Sequence, residues 1–259
     1  MTRRRFYAPP DAFAHDENSV RLSGAEARHA RDVLRLRSGD EVYVFDGAGR
    51  EFRCVLREFV PGGAALDVLA EVEPARPESP LDLTLAIALL KHEKFDLVIQ
   101  KTTELGVGRI IPLQSERADV RLRDSREAAK RLTRWRRIAL EAAKQSGRAR
   151  VPEISTPADF KSLLSADAVE TETAANKTLR VMFSERAGES LSAVANEVSA
   201  PAKSIVALIG PEGGWSDEEI ELARDAGWRI VTLGGRTLRA ETAAIVVVAL
   251  LQHRFGDFE

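Results

Sequence analysis

The chain has 259 residues, 44% hydrophobic and 30% charged, which excludes wholesale disorder, collagen and coiled coil and suggests one large or two modest domains at about 150 residues each. The longest apolar run, 243–251, is too short to cross a bilayer, MTRRRFYAPPD lacks the apolar stretch of a secretory signal, and the single cysteine, Cys54, builds neither an internal disulfide nor a zinc site. A cytoplasmic protein without membrane or metal is the expectation. The net charge of −2 argues on its face against a nucleic-acid protein.

That average hides segregation. Residues 1–37 hold eight Lys/Arg against five Asp/Glu, and residues 117–150 hold twelve against four, so the two segments carry +3 and +8 and the rest carries −13. Thirty of the 38 basic residues are arginine, whose planar fork suits phosphates and base edges. A solvated face and a nucleic-acid surface explain such clusters about equally well.

In chain order, Ser23 and Glu26 have capping-box spacing and predict a helix over 24–36. EVYVFD (41–46) and EFRCVL (51–56) flank DGAGR, a hairpin signal, and a strand at 65–72 follows a PGG turn. These strands suggest a small β-barrel over 1–73. PARPESP (74–80) reads as a stiff linker. From 81 to 259, apolar strands at 83–90, 109–113, 180–183, 204–210 and 229–233 alternate with helices at 93–105, 125–146 and 217–226, and a last helix follows; this predicts a mostly parallel, covered sheet. The helix over 125–146 places Leu132, Trp135, Ile138, Ala139 and Ala142 on one stripe. DAVETETAAN (167–176) reads as a surface excursion.

Two glycine-bearing loops follow apolar strands: Ile209-Gly-Pro-Glu-Gly-Gly-Trp-Ser216 and Leu233-Gly-Gly-Arg-Thr-Leu-Arg-Ala-Glu-Thr-Ala243. The carboxyl ends of parallel strands are where open α/β sheets bind ligands, so both loops can serve one pocket; alternatively, the glycines only make tight turns. Neither loop matches G-x-x-x-x-G-K-[ST] or G-x-G-x-x-G. Asp217, Glu218 and Glu219 open the following helix, where a polyphosphate would need free N–H groups and positive potential. A ligand held by backbone groups and carrying positive charge fits better, and S-adenosylmethionine answers that description. Ser216 with Glu219 repeats the capping-box spacing. His15, His29, His92 and His253 have no ligand-like spacing; only His92, in KHEK, is a candidate for a direct role, and a role outside the chemistry is the more frequent one for a lone histidine.

The loop pair IGPEGGWS and LGGRTLRAETA resembles the cofactor signature of the SPOUT methyltransferases. RRFYAPP, HARDVLRLRSGDEV (29–42), ALLKHEKFDLVIQKTTELGVGRIIP (88–112), SERADVR (115–121) and EAAKQSGR (141–148) are similar to the bacterial 16S rRNA uridine-N3 methyltransferases within them. The resemblance covers nearly the whole chain. It implies an N-terminal PUA-like barrel, a C-terminal parallel-sheet domain with a trefoil knot, a homodimer, S-adenosylmethionine as cofactor, and methylation of N3 of a uridine in 16S rRNA of the small ribosomal subunit. The alternatives are a non-catalytic RNA-binding assembly factor of the same fold and a nucleotide-dependent α/β enzyme, the latter disfavoured by the acidic helix start.

Carried over to this sequence, the cofactor lies against Ile209, Gly210, Pro211, Glu212 and Gly214, against Leu233, Gly234, Leu238, Arg239, Thr242 and Ala243, and beside Phe183 and Ser184. Ala240 stands where the family's last motif more usually has threonine. Uridine N3 must lose a proton, which requires a base or cations that stabilise the anion. Glu212 and Glu241 are the candidate bases, and Arg236 and Arg239 the candidate stabilisers. For Glu241 the competing role is a helix first-turn carboxylate, and for Arg236 a surface arginine. RNA is expected to meet Arg3, Arg4, Arg5, Arg28, Arg31, Arg35 and Arg37 before the linker, and Lys91, Lys94, Arg117, Arg121, Arg123, Arg134, Arg137 and Arg148 beyond it. Trp215 is read as packing under its loop, and the apolar helix at 243–251 as suited to a core or a subunit interface.

Overall fold

A computed structural model describes residues 3–91, 93–165, 178–186, 188–197 and 203–258. His92 and the acidic segment 167–176 lie outside the described residues. The chain forms two compact units, 1–78 with 140–151, and 79–139 with 152–259. Residues 140–151, expected within the larger domain, therefore belong to the first unit.

In the first unit β1 (Arg5–Tyr7), β2 (Ser19–Leu22), β3 (Glu41–Phe45), β4 (Glu51–Val60) and β5 (Gly63–Val72) form one sheet in the order β1-β3-β4-β5-β2. Its inward face carries Phe6, Val42, Val44, Phe52, Leu56 and Leu66, all buried. The DGAGR turn forms because Asp46 Oδ1 accepts from the N–H groups of Ala48, Gly49 and Arg50 at 2.7–3.1 Å, with Gly47 and Gly49 at positive φ. β1 and β2 are too short and too polar in pattern to stand out in the sequence.

The helix expected over 24–36 is shorter. α1 (Gly24–Arg28) runs into a wider turn over His29–Val33, closed by Leu34 N donating to His29 O. Ser23 makes no side-chain cap bond. Glu26 instead accepts from Lys144 Nζ at 2.7 Å and Tyr7 N at 3.3 Å. A buried carboxylate gains more from an ammonium than from one amide, so tertiary pairing displaces the local cap.

In the second unit β6 (Asp82–Ala88), β7 (Arg109–Gln114), β8 (Glu153–Ile154), β9 (Ala158–Asp159), β10 (Leu179–Phe183), β11 (Ser204–Ile209) and β12 (Arg229–Val231) form a parallel sheet in the order β12-β10-β11-β6-β7-β8, with β9 also on β7. The helices are α2 (Glu93–Glu104), α3 (Ser125–Ser146), α4 (Phe160–Leu164), α5 (Leu191–Glu197), α6 (Asp217–Asp225) and α7 (Ala240–Phe255). The strands read as apolar runs because both faces are covered; β6 and β11 are almost wholly buried. The bounds of α3 match the sequence reading, and Leu132, Trp135, Ala139 and Ala142 of its stripe are buried, with Trp135 against Phe95 at 4.6 Å between rings. Residues 140–146 of α3 are counted with the first unit.

Candidate functional site

The register of three parallel strands levels their carboxyl ends: Phe183 of β10 pairs with Ile209 of β11 on one side and Val231 of β12 on the other. The two glycine loops belong to successive strands in sequence but not to neighbours in space, because β10 lies between β11 and β12. Three loops, not two, therefore border a cavity of about 470 Å³.

The β10 loop contributes Phe183, Ser184 and Glu185; the β11 loop contributes Ile209 through Trp215. From the β12 side come Leu233, Arg236 to Ala240, and Ala243. Most residues singled out for the cofactor thus meet at one cavity. Gly234, at φ +60, and Thr242 do not line it, and neither does Glu241. Glu185 and Thr237 are wall residues that the sequence reading passed over. Glu185's only signal was its place two residues past the end of an apolar strand.

The floor is Trp215. Its ring is 1% exposed, its Nε1 donates to Phe183 O at 2.9 Å, and its carbonyl accepts from Arg117 at 3.2 Å and Arg186 at 3.0 Å. The packing role expected for Trp215 is what the structure holds. A Cβ at Gly210 would lie 2.9 Å from this ring, so the chain crosses the indole only as glycine. At Gly214, φ is +68, and a Cβ would meet Glu185 Oε1 at 2.8 Å; glycine serves both the turn and the close approach.

The helix after this loop begins as its spacing indicated. Ser216 Oγ accepts from Glu219 N at 3.1 Å, and Glu219 Oε2 accepts from Ser216 N at 3.0 Å. Glu219 Oε1 also accepts from Glu116 N at 2.9 Å. Asp217 pairs with Arg186 at 2.8 Å. The acidic start is therefore less of a bare negative field than its sequence implies. The case against a phosphate there rests on a consumed N–H donor, that of Glu219, together with the exposed Glu218.

Glu212 and Glu241 meet a shared cation. Lys94 Nζ stands 3.1 Å from Glu212 Oε1 and 3.5 Å from Glu241 Oε2, and the hydrogen bond to Glu212 is the main cause raising its pKa above the ordinary lysine value. Arg236 and Arg239 line the cavity and are exposed.

The basic residues divide. Arg4, Arg28, Arg35, Arg37, Arg123 and Arg137 are exposed, and Arg35 holds φ +52, a conformation uncommon outside glycine. Arg31 pairs with Asp32, Lys91 with Asp119 and Arg134 with Asp96, while Arg121 donates to Glu116 O. Arg3 and Arg5 both bind the fully buried Glu51, and Arg5 also donates to Lys144 O and Arg148 O. Arg148 is 5% exposed and bonded to Glu78 at 2.7 Å. Arg5 and Arg148 are thus committed inside the first unit rather than displayed, a correction to their reading as RNA contacts: a buried guanidinium must satisfy its donors internally.

Among the described residues no cluster of metal-ligating side chains occurs, and no helix is long and apolar enough to cross a membrane.

Comparison with known proteins agrees with this architecture. Residues 77–252 match the RNA methyltransferase domain family, and residues 22–58 match the RNA methyltransferase PUA domain. The chain is 37% identical over 234 residues to the ribosomal RNA small subunit methyltransferase E of Synechocystis sp., covering 90% of this chain and 72% of that protein. It is 32% identical over 235 residues to the Bacillus subtilis protein of the same name, covering 90% and 89%. A crystal structure of a ribosomal RNA small subunit methyltransferase E from Neisseria gonorrhoeae bound to S-adenosyl methionine superposes with a TM-score of 0.83 at 33% identity, over 100% of both chains. A parallel-sheet domain preceded by a PUA-like domain, with two glycine loops at one set of strand ends, places this chain in the ribosomal RNA small subunit methyltransferase E family.

Proposed function

We propose that the chain is an S-adenosylmethionine-dependent methyltransferase acting on 16S rRNA of the small ribosomal subunit, at N3 of a uridine. The observation that carries this reading is the cavity at the ends of β10, β11 and β12, bordered by both glycine loops. Its volume, about 470 Å³, lies in the range of small-molecule sites. The residues present fit a cationic, nucleoside-bearing ligand: Gly210 lets the backbone approach over Trp215, apolar walls come from Phe183, Ile209, Leu233 and Leu238, and Glu185 and Glu212 supply negative charge. Bound there, the cofactor supplies an activated methyl group.

The protein's own task is then orientation and proton management. Glu212, at the cavity wall with its side chain 24% exposed, is the proposed acceptor of the N3 proton. Arg236 and Arg239, on the same wall, stabilise the anion left on the base. The exposed arginines Arg4, Arg28, Arg35 and Arg37 and the segment from Arg117 to Arg137 bind the RNA backbone.

The partner arrangement proposed is a homodimer through α7. Ala244, Val247, Val248 and Leu251 are buried within the unit, while Ile245, Val246, Ala249 and Leu250 are left partly open, an apolar face suited to a second copy. We further propose the trefoil-knotted path of the family for the C-terminal segment, and the cytoplasm as the place of action.

The test is titration calorimetry with S-adenosylhomocysteine, followed by methyl-label transfer to small subunits from a strain lacking the gene. Saturable binding and label on uridine N3, identified by mass spectrometry, are the expected results. Binding without transfer favours the non-catalytic assembly factor; no binding removes both the cofactor and the enzyme.

A further inference from the structure

Lys94 lies near the start of α2, Glu212 in the β11 loop and Glu241 in the first turn of α7, and the three converge on one ammonium. The two carboxylates are not held equally. Glu212 Oε1 accepts a hydrogen bond from Lys94 at 3.1 Å, whereas Glu241 Oε2 is buried without a well-directed hydrogen bond, 3.5 Å from the same Nζ. Such an oxygen carries a desolvation cost until a donor reaches it.

The other charged groups nearby have different partners or positions. Lys91 pairs with Asp119 and Asp96 with Arg134; Arg236, Arg239 and Glu185 stand on the cavity wall; Glu93 shares the first turn of α2. Lys94, its pKa raised by Glu212 first and Glu241 second, remains a cation and is no base.

We propose that Lys94 is a positioning residue of the methyl transfer: its hydrogen bond fixes the Glu212 carboxylate at the cavity wall, and it passes that hydrogen bond to Glu241 Oε2 once Glu212 has taken the proton. This rests on the reading of the cavity as a methyl-transfer site. In that step the N3–H proton moves to the Glu212 carboxylate, the N–H electron pair stays on nitrogen and forms the bond to the methyl carbon, and the electron pair of the broken carbon–sulfur bond remains on sulfur. The three side chains go from one net negative charge to none. The attraction Lys94 loses at Glu212 is recovered at the oxygen that lacked a donor.

The test uses the full chain with Lys94→Gln, Lys94→Arg and Glu241→Gln. For each variant, kcat and the KM for the cofactor are measured at neutral pH, and S-adenosylhomocysteine binding is followed by calorimetry. Lys94→Gln is expected to lower kcat about tenfold or more with the cofactor KM nearly unchanged. Lys94→Arg recovers most of that loss, and Glu241→Gln lowers kcat with the cofactor KM likewise unchanged. A Lys94→Gln protein with the wild-type kcat overturns the proposal, as does a loss that lies in the cofactor KM alone or that Lys94→Arg does not recover. If the wild-type protein transfers no methyl group, the functional reading falls and the proposal with it, whereas an active wild type beside an unaffected Lys94→Gln variant sinks the proposal alone.

Discussion

At Gly210 a single hydrogen decides whether the cavity floor stays in place. Trp215 cannot yield to a methyl group there without releasing its bond to Phe183 O. Gly210→Ala is expected to weaken S-adenosylhomocysteine binding about tenfold or more, an overpacking cost of about 1–3 kcal/mol, by calorimetry. Gly235→Ala, with nothing within 4 Å of the added carbon, is expected to bind as the wild type does. Cys54 presents the reverse case, a reactive residue type made inert. Burial pushes its thiol up to about 12, and the thiolate is the nucleophile. Alkylation by iodoacetamide at about pH 8 is expected to be slow in the folded protein and fast once denaturant opens the first unit; rapid labelling of native protein would contradict the burial.

Two elements carry the same S-x-x-E spacing and use it differently. At α6 both reciprocal cap bonds form; at α1 neither Ser23 nor Glu26 caps, because Glu26 is drawn to Lys144 and Tyr7. Ser216→Ala is therefore expected to cost about 1 kcal/mol and to lower the thermal midpoint by about 2–4 °C, while Ser23→Ala stays within about 0.5 kcal/mol. Equal losses in scanning calorimetry would refute the distinction. The periodic elements were legible: the bounds of α3, the start of α6 and the long strands β3–β7, β10 and β11 follow from apolar spacing. β1, β2, β8 and β9 were not, because two to four residues give no period to detect and their pairing comes from partners distant in sequence.

For the whole molecule the net charge of −2 is a poor guide to its partner. With the exposed arginines displayed and Arg5 and Arg148 turned inward, rRNA affinity is expected to fall linearly on a log–log plot against salt, by about 0.7–0.9 for each phosphate contact. Arg28→Ala combined with Arg35→Ala lessens that slope by about 1–2, whereas Arg148→Ala, which removes the guanidinium partner of Glu78 and leaves it the backbone N–H of Arg150, lowers stability instead. A salt-independent affinity measured by filter binding would rule out the RNA surface. On the dimer reading, Leu250→Asp, on the open face of α7, is expected to shift sedimentation toward the monomer without loss of helix signal.

The sequence by itself determined the class of the fold, the periodic elements, the two loops at strand ends and the segregation of charge, all of which depend on spacings within a few residues. Tertiary structure decided that β10 separates the two loop-bearing strands, that Glu185 joins the wall, and that Arg5 and Arg148 face inward. It also decided that Lys94 serves two carboxylates 118 and 147 positions away. The physical reason is range. Propensity, capping and alternation act between near neighbours, whereas a charge finds its partner only after strand order and loop path have brought distant segments within a few ångströms.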